Sequence, residues 1–109
     1  DHGLENLVEG HLTAGQRVVV IEDLISTGGS SLKAVDALRR SGANVLGMVA
    51  IFTYQFAVAE QSFQQQQVTL HTLSNYNTLI ETAIDQQYIQ PQWLSILQQW
   101  RANPDQWGK

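Results

Sequence analysis

The sequence predicts an α/β fold: a parallel, doubly wound, Rossmann-like sheet. Three observations carry that prediction. Two unbroken apolar runs, Val18–Ile21 and Val45–Phe52, read as strands. Neither alternates apolar with polar residues, so both faces of each strand are expected to be buried, as in a parallel sheet. One amphipathic stretch separates the runs, which makes strand, helix and strand a right-handed βαβ unit. Where the first run ends, small polar residues and glycines follow, at the sheet edge where open α/β folds bind their ligands.

Taken in order, Asp1–Gly15 is loop with one short extended piece. Leu7–Leu12 is expected to form an edge strand or a hairpin arm, and Thr13–Gln16 a turn into the first strand. After the glycine loop, a helix over Ser31–Arg40 follows from Leu32, Val35 and Leu38 at spacings of three, with Lys33, Asp36 and Arg40 on the wet face. Thr27 or Ser30 caps it. Arg39 and Arg40 suit the negative end of its dipole, and Gly42 is the left-handed residue just past its end.

The second strand leads through Thr53, Tyr54 and Gln55 to a helix from Phe56 to about Gln66, with Phe56, Ala59 and Phe63 inward. The glutamine run Gln64–Gln67 is a solvated helix end. Val68–Leu73 alternates and forms a shorter strand nearer the sheet edge. Ser74–Asn77 is a turn with capping residues, and Thr78–Gln87 is helical, with Leu79, Ile80, Ala83 and Ile84 apolar. Pro91 opens a last helix whose buried stripe is Trp93, Leu94, Leu97 and Trp100. Asn103 and Pro104 stop that helix, and Trp107 pins the tail. The order β-α-β-α-β-α-α contains no repeat.

The chemistry concentrates in Arg17–Ser31, RVVVIEDLISTGGSS. The loop Ser26–Ser30 has no bulky side chain, so its backbone N–H groups can come close to a ligand. Glycine reaches the positive φ values that shape such loops, and the following helix adds unpaired donors at the positive end of its dipole. Together these bind phosphate. Glu22 and Asp23 would repel a phosphate, so they must face something else: the two hydroxyls of a ribose, or a metal ion. Neighbouring residues on a strand point to opposite faces, so one of the two acids, with Asp23 as the expected one, makes the more direct sugar contact. A Walker loop would require Gly-Lys-Ser/Thr where Gly29, Ser30 and Ser31 stand, and a dinucleotide fingerprint would require a third glycine.

Composition narrows the classes further. A chain of 109 residues with 43% hydrophobic content can build one small core. A net charge of −4 leaves no basic footprint for nucleic acid and no polybasic membrane patch. There is no cysteine, which excludes disulfides and thiolate metal sites and suits the cytoplasm. No apolar run approaches the ~20 residues of a membrane span, and the first ten residues are not a signal peptide. The absence of an initial Met, and a main motif so close to the start, lead us to expect the back half of a protein.

VVVIEDLISTGGS closely resembles the binding motif of type I phosphoribosyltransferases, which use 5-phosphoribosyl 1-diphosphate (PRPP). Beyond it, DHG at the start, NLVEG, VLGMVAIFTY and TLSNYNTLIETA resemble the orotate phosphoribosyltransferase branch of that family, across nearly the whole chain. The resemblance implies the type I fold, here as a partial domain. Residues 1–16 are the end of a mobile loop and its lead-in, 17–73 the core sheet with the PRPP loop, and 74–109 the C-terminal helices. It also implies a pentosyltransferase that joins orotate to PRPP, releases pyrophosphate, works as a homodimer and uses Mg²⁺ bound mainly through PRPP, with no protein metal site.

By resemblance, the PRPP site comprises His2, Glu22, Asp23, Leu24, Ile25, Ser26, Thr27, Gly28, Gly29 and Ser30. Glu22 and Asp23 hold the ribose hydroxyls, and Ser26–Ser30 hold the 5′-phosphate. Ser26 also contacts orotate. His2 lies on the loop that closes over pyrophosphate, so that His2 and Asp23 are the catalytic candidates. Purine-salvage relatives of the hypoxanthine–guanine type carry a carboxylate at the position of Ser26, which is why Ser26 favours orotate. A lysine and an arginine that the family places just before DHG fall ahead of Asp1, so the 109-residue chain alone is expected to have little or no activity. Some relatives place an arginine for orotate where Tyr54 stands.

The other candidates have plainer readings. His2 taken alone is a solvated terminal histidine. His11 and His71 lack partners at metal spacing. The tryptophans suit core or dimer packing, and Tyr54 suits either a ligand contact or packing.

Overall fold

The computed structural model describes residues 8–107. Its elements follow the expected order. Strand β1 spans Arg17–Ile25, helix α1 Gly29–Arg40, strand β2 Asn44–Thr53, helix α2 Ala57–Gln65, strand β3 Leu70–Asn75 and helix α3 Tyr76–Asp85. A 3-10 turn at Pro91–Trp93 leads into helix α4, Leu94–Ala102, and a second 3-10 turn covers Pro104–Gln106.

The three strands are parallel in the order β1-β2-β3. Ile21 lies opposite Val49 and Ile25 opposite Thr53, while Met48 pairs with Leu70 and Thr53 with Asn75. Two successive right-handed crossovers in one direction put α1 and α2 on the same face of the sheet. The core forms there, from Ile25, Leu32, Val35, Met48, Ala50, Ala59, Phe63 and Val68. Ile25, Val35 and Met48 are fully buried.

The opposite face is open, and this corrects the expectation that both faces of the apolar strands are buried. Ile21 is 72% exposed, Leu73 78% and Ile51 57%. The sequence runs are continuous because both faces of these strands are apolar, yet only the face toward α1 and α2 carries a helical layer among the described residues.

Other expectations also change. Residues 8–16 contain no strand; Leu7 lies outside the described residues. That segment is instead tied down by single backbone bonds, Gly15 N–H to Gly42 O at 2.7 Å and Asn44 N–H to Gln16 O at 2.8 Å. The tryptophan stripe of α4 is only half realised. Leu94, Leu97 and Trp100 are half-buried, but Trp93 and Trp107 are exposed, so Trp107 does not pin the tail. A single short helix at the sheet's end has one side to pack on, and Trp100 takes it.

Helix ends follow local chemistry. Asn75 caps α3, its Oδ1 accepting from Thr78 N–H at 2.9 Å, so that helix starts two residues earlier than expected. At the end of α1, Gly42 adopts φ +92, and Ala43 N–H donates to Leu38 O. That is the left-handed terminator expected there.

Candidate functional site

β1 runs past its apolar residues and carries Glu22 and Asp23 before it ends at Ile25. The two acids diverge. Glu22 is half-buried on the helix side, where its Oε2 accepts a hydrogen bond from Ser31 Oγ at 2.5 Å. Ser31 is buried in the first turn of α1. Asp23 is exposed, and its Oδ1 accepts from Leu24 N–H at 2.7 Å. The strand's alternation breaks just beyond. Leu24 is exposed while the Ile25 side chain is fully buried, so only the Ile25 backbone faces the loop, and its carbonyl already accepts from Tyr54 N–H at 3.1 Å.

The loop then folds over the sheet end. Ser26, Thr27, Gly29 and Ser30 are exposed, and Gly28 is buried. Gly28 is the N-cap residue of α1, at φ +88 and ψ −1, with no side-chain cap; this replaces the expected cap by Thr27 or Ser30. The conformation favours glycine, and the packing demands it, since a Cβ at Gly28 would lie 2.8 Å from Phe63 Cε2. A side-chain cap would occupy donors at the start of α1. With none, the first N–H groups of the helix remain available to an anion beside four exposed small residues.

A second structure stands at the end of β2. Tyr54 stacks on Phe56, with centroids 5.2 Å apart and planes 6° apart, and Trp100 closes on both at 6.0 and 5.7 Å. Tyr76 completes the cluster, 5.7 Å from Trp100. Its hydroxyl donates to Leu97 O at 3.1 Å, which fastens α4 to the sheet end. Burial pushes the Tyr76 phenol above its usual value, Arg101 pulls it back down, and Tyr54 adds to the rise. Gln55, at φ +61, is held from three sides. Its N–H donates to Thr53 Oγ1, its Oε1 accepts from Asn77 N–H, and its carbonyl accepts from Arg101 Nη1, each at 3.1 Å.

Between this cluster and the glycine loop lies a cleft of about 530 Å³, lined by Thr27, Tyr54, Phe56, Trp100, Arg101 and Asn103 among others. The structure thus gathers Glu22, Asp23 and Ser26–Ser30 at one strand end with Tyr54 at the next. Ser26 lies outside the cleft lining, and its neighbour Thr27 is within it. His2 lies outside the described residues. Sequence reading missed Ser31 and Arg101. Ser31 has no signal beyond its place in a helix, and Arg101 carries none beyond a basic side chain in the last turn of a helix. No three His, Cys, Asp or Glu side chains converge on a metal-sized site among the described residues. No helix among them is long and apolar enough to cross a membrane.

Three parallel strands and a glycine loop at a strand end, with acids just ahead of it, define an α/β protein whose candidate ligand site lies at the carboxyl end of its sheet. The phosphoribosyl transferase domain model matches residues 5–86, and the chain belongs to that family. Among its relatives, the orotate phosphoribosyltransferase of Cytophaga hutchinsonii is 55% identical over all 109 residues, which cover 52% of that protein. The chain spans about half the length of the curated relatives it matches. Leishmania donovani UMP synthase superposes with a TM-score of 0.71 over 85% of this chain and 21% of that one; at 23% identity this shows the fold alone. Mycobacterium tuberculosis orotate phosphoribosyltransferase in complex with PRPP is 31% identical, with a TM-score of 0.54 over 62% of this chain and 41% of that one.

Proposed function

We propose that this chain carries the PRPP-gripping part of an orotate phosphoribosyltransferase. The reaction breaks the bond between ribose C1 and the diphosphate oxygen and forms one from C1 to a ring nitrogen of orotate. Orotidine 5′-phosphate and pyrophosphate result, a step toward UMP in pyrimidine synthesis. The observation that carries this reading is the junction of β1 and α1: an exposed Asp23, an uncapped helix start and a buried left-handed Gly28, within one short stretch. Relatives of the same name at 55% identity support the choice of orotate.

In this reading, Ser26, Thr27, Gly28, Gly29 and Ser30 receive the 5′-phosphate through backbone N–H groups and hydroxyls. Asp23 accepts from the ribose hydroxyls. Glu22, already engaged by Ser31, sets the height of the loop against the strand and offers its second oxygen to the sugar. Leu24 and Ile25 contribute backbone, since Ile25 buries its side chain. His2 acts at the pyrophosphate. Bound mainly through the diphosphate of PRPP, Mg²⁺ would supply charge neutralisation there. Mg²⁺ usually retains waters and substrate phosphates in preference to a full protein cage, which leaves Asp23 and Glu22 for the ribose hydroxyls. The assembly is a homodimer in a reducing, cytoplasmic setting.

The deciding experiment follows orotate absorbance in the intact protein with PRPP and Mg²⁺. Consumption of orotate with release of pyrophosphate is the expected result. PRPP binding without transfer to orotate, or transfer to a purine or to uracil instead, overturns the reading.

A further inference from the structure

We infer that Arg101 selects the carboxylate of the base, making it the residue that separates an anionic pyrimidine from a neutral one. The inference rests on the reading above and adds a specificity determinant to it.

Arg101 lines the cleft beside Thr27, so it faces the same space as the glycine loop. One of its donors is spent on structure, Nη1 to Gln55 O at 3.1 Å. Its Nε is buried and has no hydrogen-bond partner among the described residues. A buried guanidinium donor left unpaired is costly, which is unusual for a residue with only a structural role. A guanidinium presents its donors as a flat fork that matches a carboxylate. The rest of the cleft suits a flat ring. Phe56, Tyr54 and Trp100 supply aromatic walls whose planes are already fixed against one another. The one carboxylate on the lining, Asp105, is exposed to water, so its charge is well screened. A planar ring bearing a negative charge fits this combination: rings for its faces, Arg101 for its charge, and the loop next door for the phosphate of the attached ribose.

The Gln55 bond supports the same conclusion. It anchors the guanidinium to the end of β2, so Arg101 reports on the strand that carries Tyr54 and does not swing freely at a helix end. Fixing the fork before the ligand arrives lowers the ordering cost of binding.

The test compares two nucleotides that differ only in that carboxylate, orotidine 5′-phosphate and uridine 5′-phosphate. Their affinities for the intact protein are measured by calorimetry without turnover. Arg101→Gln is expected to weaken orotidine 5′-phosphate at least tenfold and to leave uridine 5′-phosphate and PRPP within about twofold. Arg101→Lys keeps the charge without the fork and is expected to lose only part of the preference. It also serves if the glutamine variant does not fold. An unchanged preference in the variants overturns the role of Arg101, as does equal weakening of both nucleotides. A parent protein that binds neither nucleotide overturns the phosphoribosyltransferase reading itself, and this inference with it.

Discussion

Ser31 Oγ donates to Glu22 Oε2 at 2.5 Å, joining the first turn of α1 to the strand it follows. The bond closes the glycine loop at its base. Residues 23–30 are spanned by this side-chain contact, beside the backbone bonds that Ile25 O accepts from Tyr54 N–H and Gly28 O from Leu32 N–H. Because the acceptor is a carboxylate, the bond is charge-assisted and belongs among the stronger ones.

Ser31→Ala should therefore cost more than a typical surface change. Loss of a hydrogen bond to a charged group is worth about 1.5–3 kcal/mol, and Ser31 is buried. A lower urea midpoint with an unchanged slope is expected, together with weaker PRPP binding as the loop loosens. A midpoint equal to that of the parent would mean that the loop is held by its backbone alone.

Asp23→Asn should do the reverse. Asp23 is exposed and its only described partner is the adjacent Leu24 N–H, so stability should change by no more than about 0.5 kcal/mol. PRPP affinity should fall by about tenfold to a hundredfold, the value of one charged acceptor at about 1.5–3 kcal/mol. Calorimetry on the intact protein reads both numbers. Unchanged affinity would remove Asp23 from the ribose site.

Gly28→Ala meets two obstacles at once. It forces a left-handed backbone on alanine, at about 1–3 kcal/mol, and it sets a methyl group 2.8 Å from the buried Phe63 ring. The two separate in a double-mutant cycle. Phe63→Leu should relieve the clash but not the φ, so the double variant should be less destabilised than the sum of the single ones. Strict additivity in thermal melts would show that Phe63 plays no part in requiring glycine.

Tyr76 gives a pH signature. Burial raises its pKa above 10.0, so the folded state holds the phenolic proton longer than the unfolded chain does. Its stabilising contribution is complete below about pH 10.0 and is lost as pH rises from there through the folded-state value, because the unfolded phenol ionises first. Tyr76→Phe should flatten that part of the alkaline stability profile. It should also remove about 0.5–1.5 kcal/mol at neutral pH with the bond to Leu97 O. An alkaline slope that persists in Tyr76→Phe would assign it to another group.

Much of this was legible from sequence. The β-branched runs, the three-residue spacing of Leu32, Val35 and Leu38, and the punctuation by Gly42 and Pro91 are short-range signals, and their elements stand where expected to within two or three residues, except that β1 runs four residues past Ile21 to Ile25. The glycine loop was legible for the same reason, since its chemistry lies in consecutive residues. The errors share a cause. Whether Ile21, Leu73 or Trp93 is covered depends on which layers exist around the sheet, and an apolar side chain looks the same in sequence whether or not a partner lies over it.

Residue identity and local order thus determined the strand, the loop, the acids and the start of α1. Gly28 was readable as flexible, but only the approach of Phe63 from α2 makes it obligatory. Only the tertiary structure turned Glu22 toward Ser31 and Asp23 toward solvent. It also brought Arg101, 46 residues beyond Gln55 along the chain, against that residue's carbonyl at the mouth of the cleft. The physical reason is range. Backbone preferences and periodicity act over a few residues, whereas a side chain's partner across a fold is chosen by the packing of whole elements.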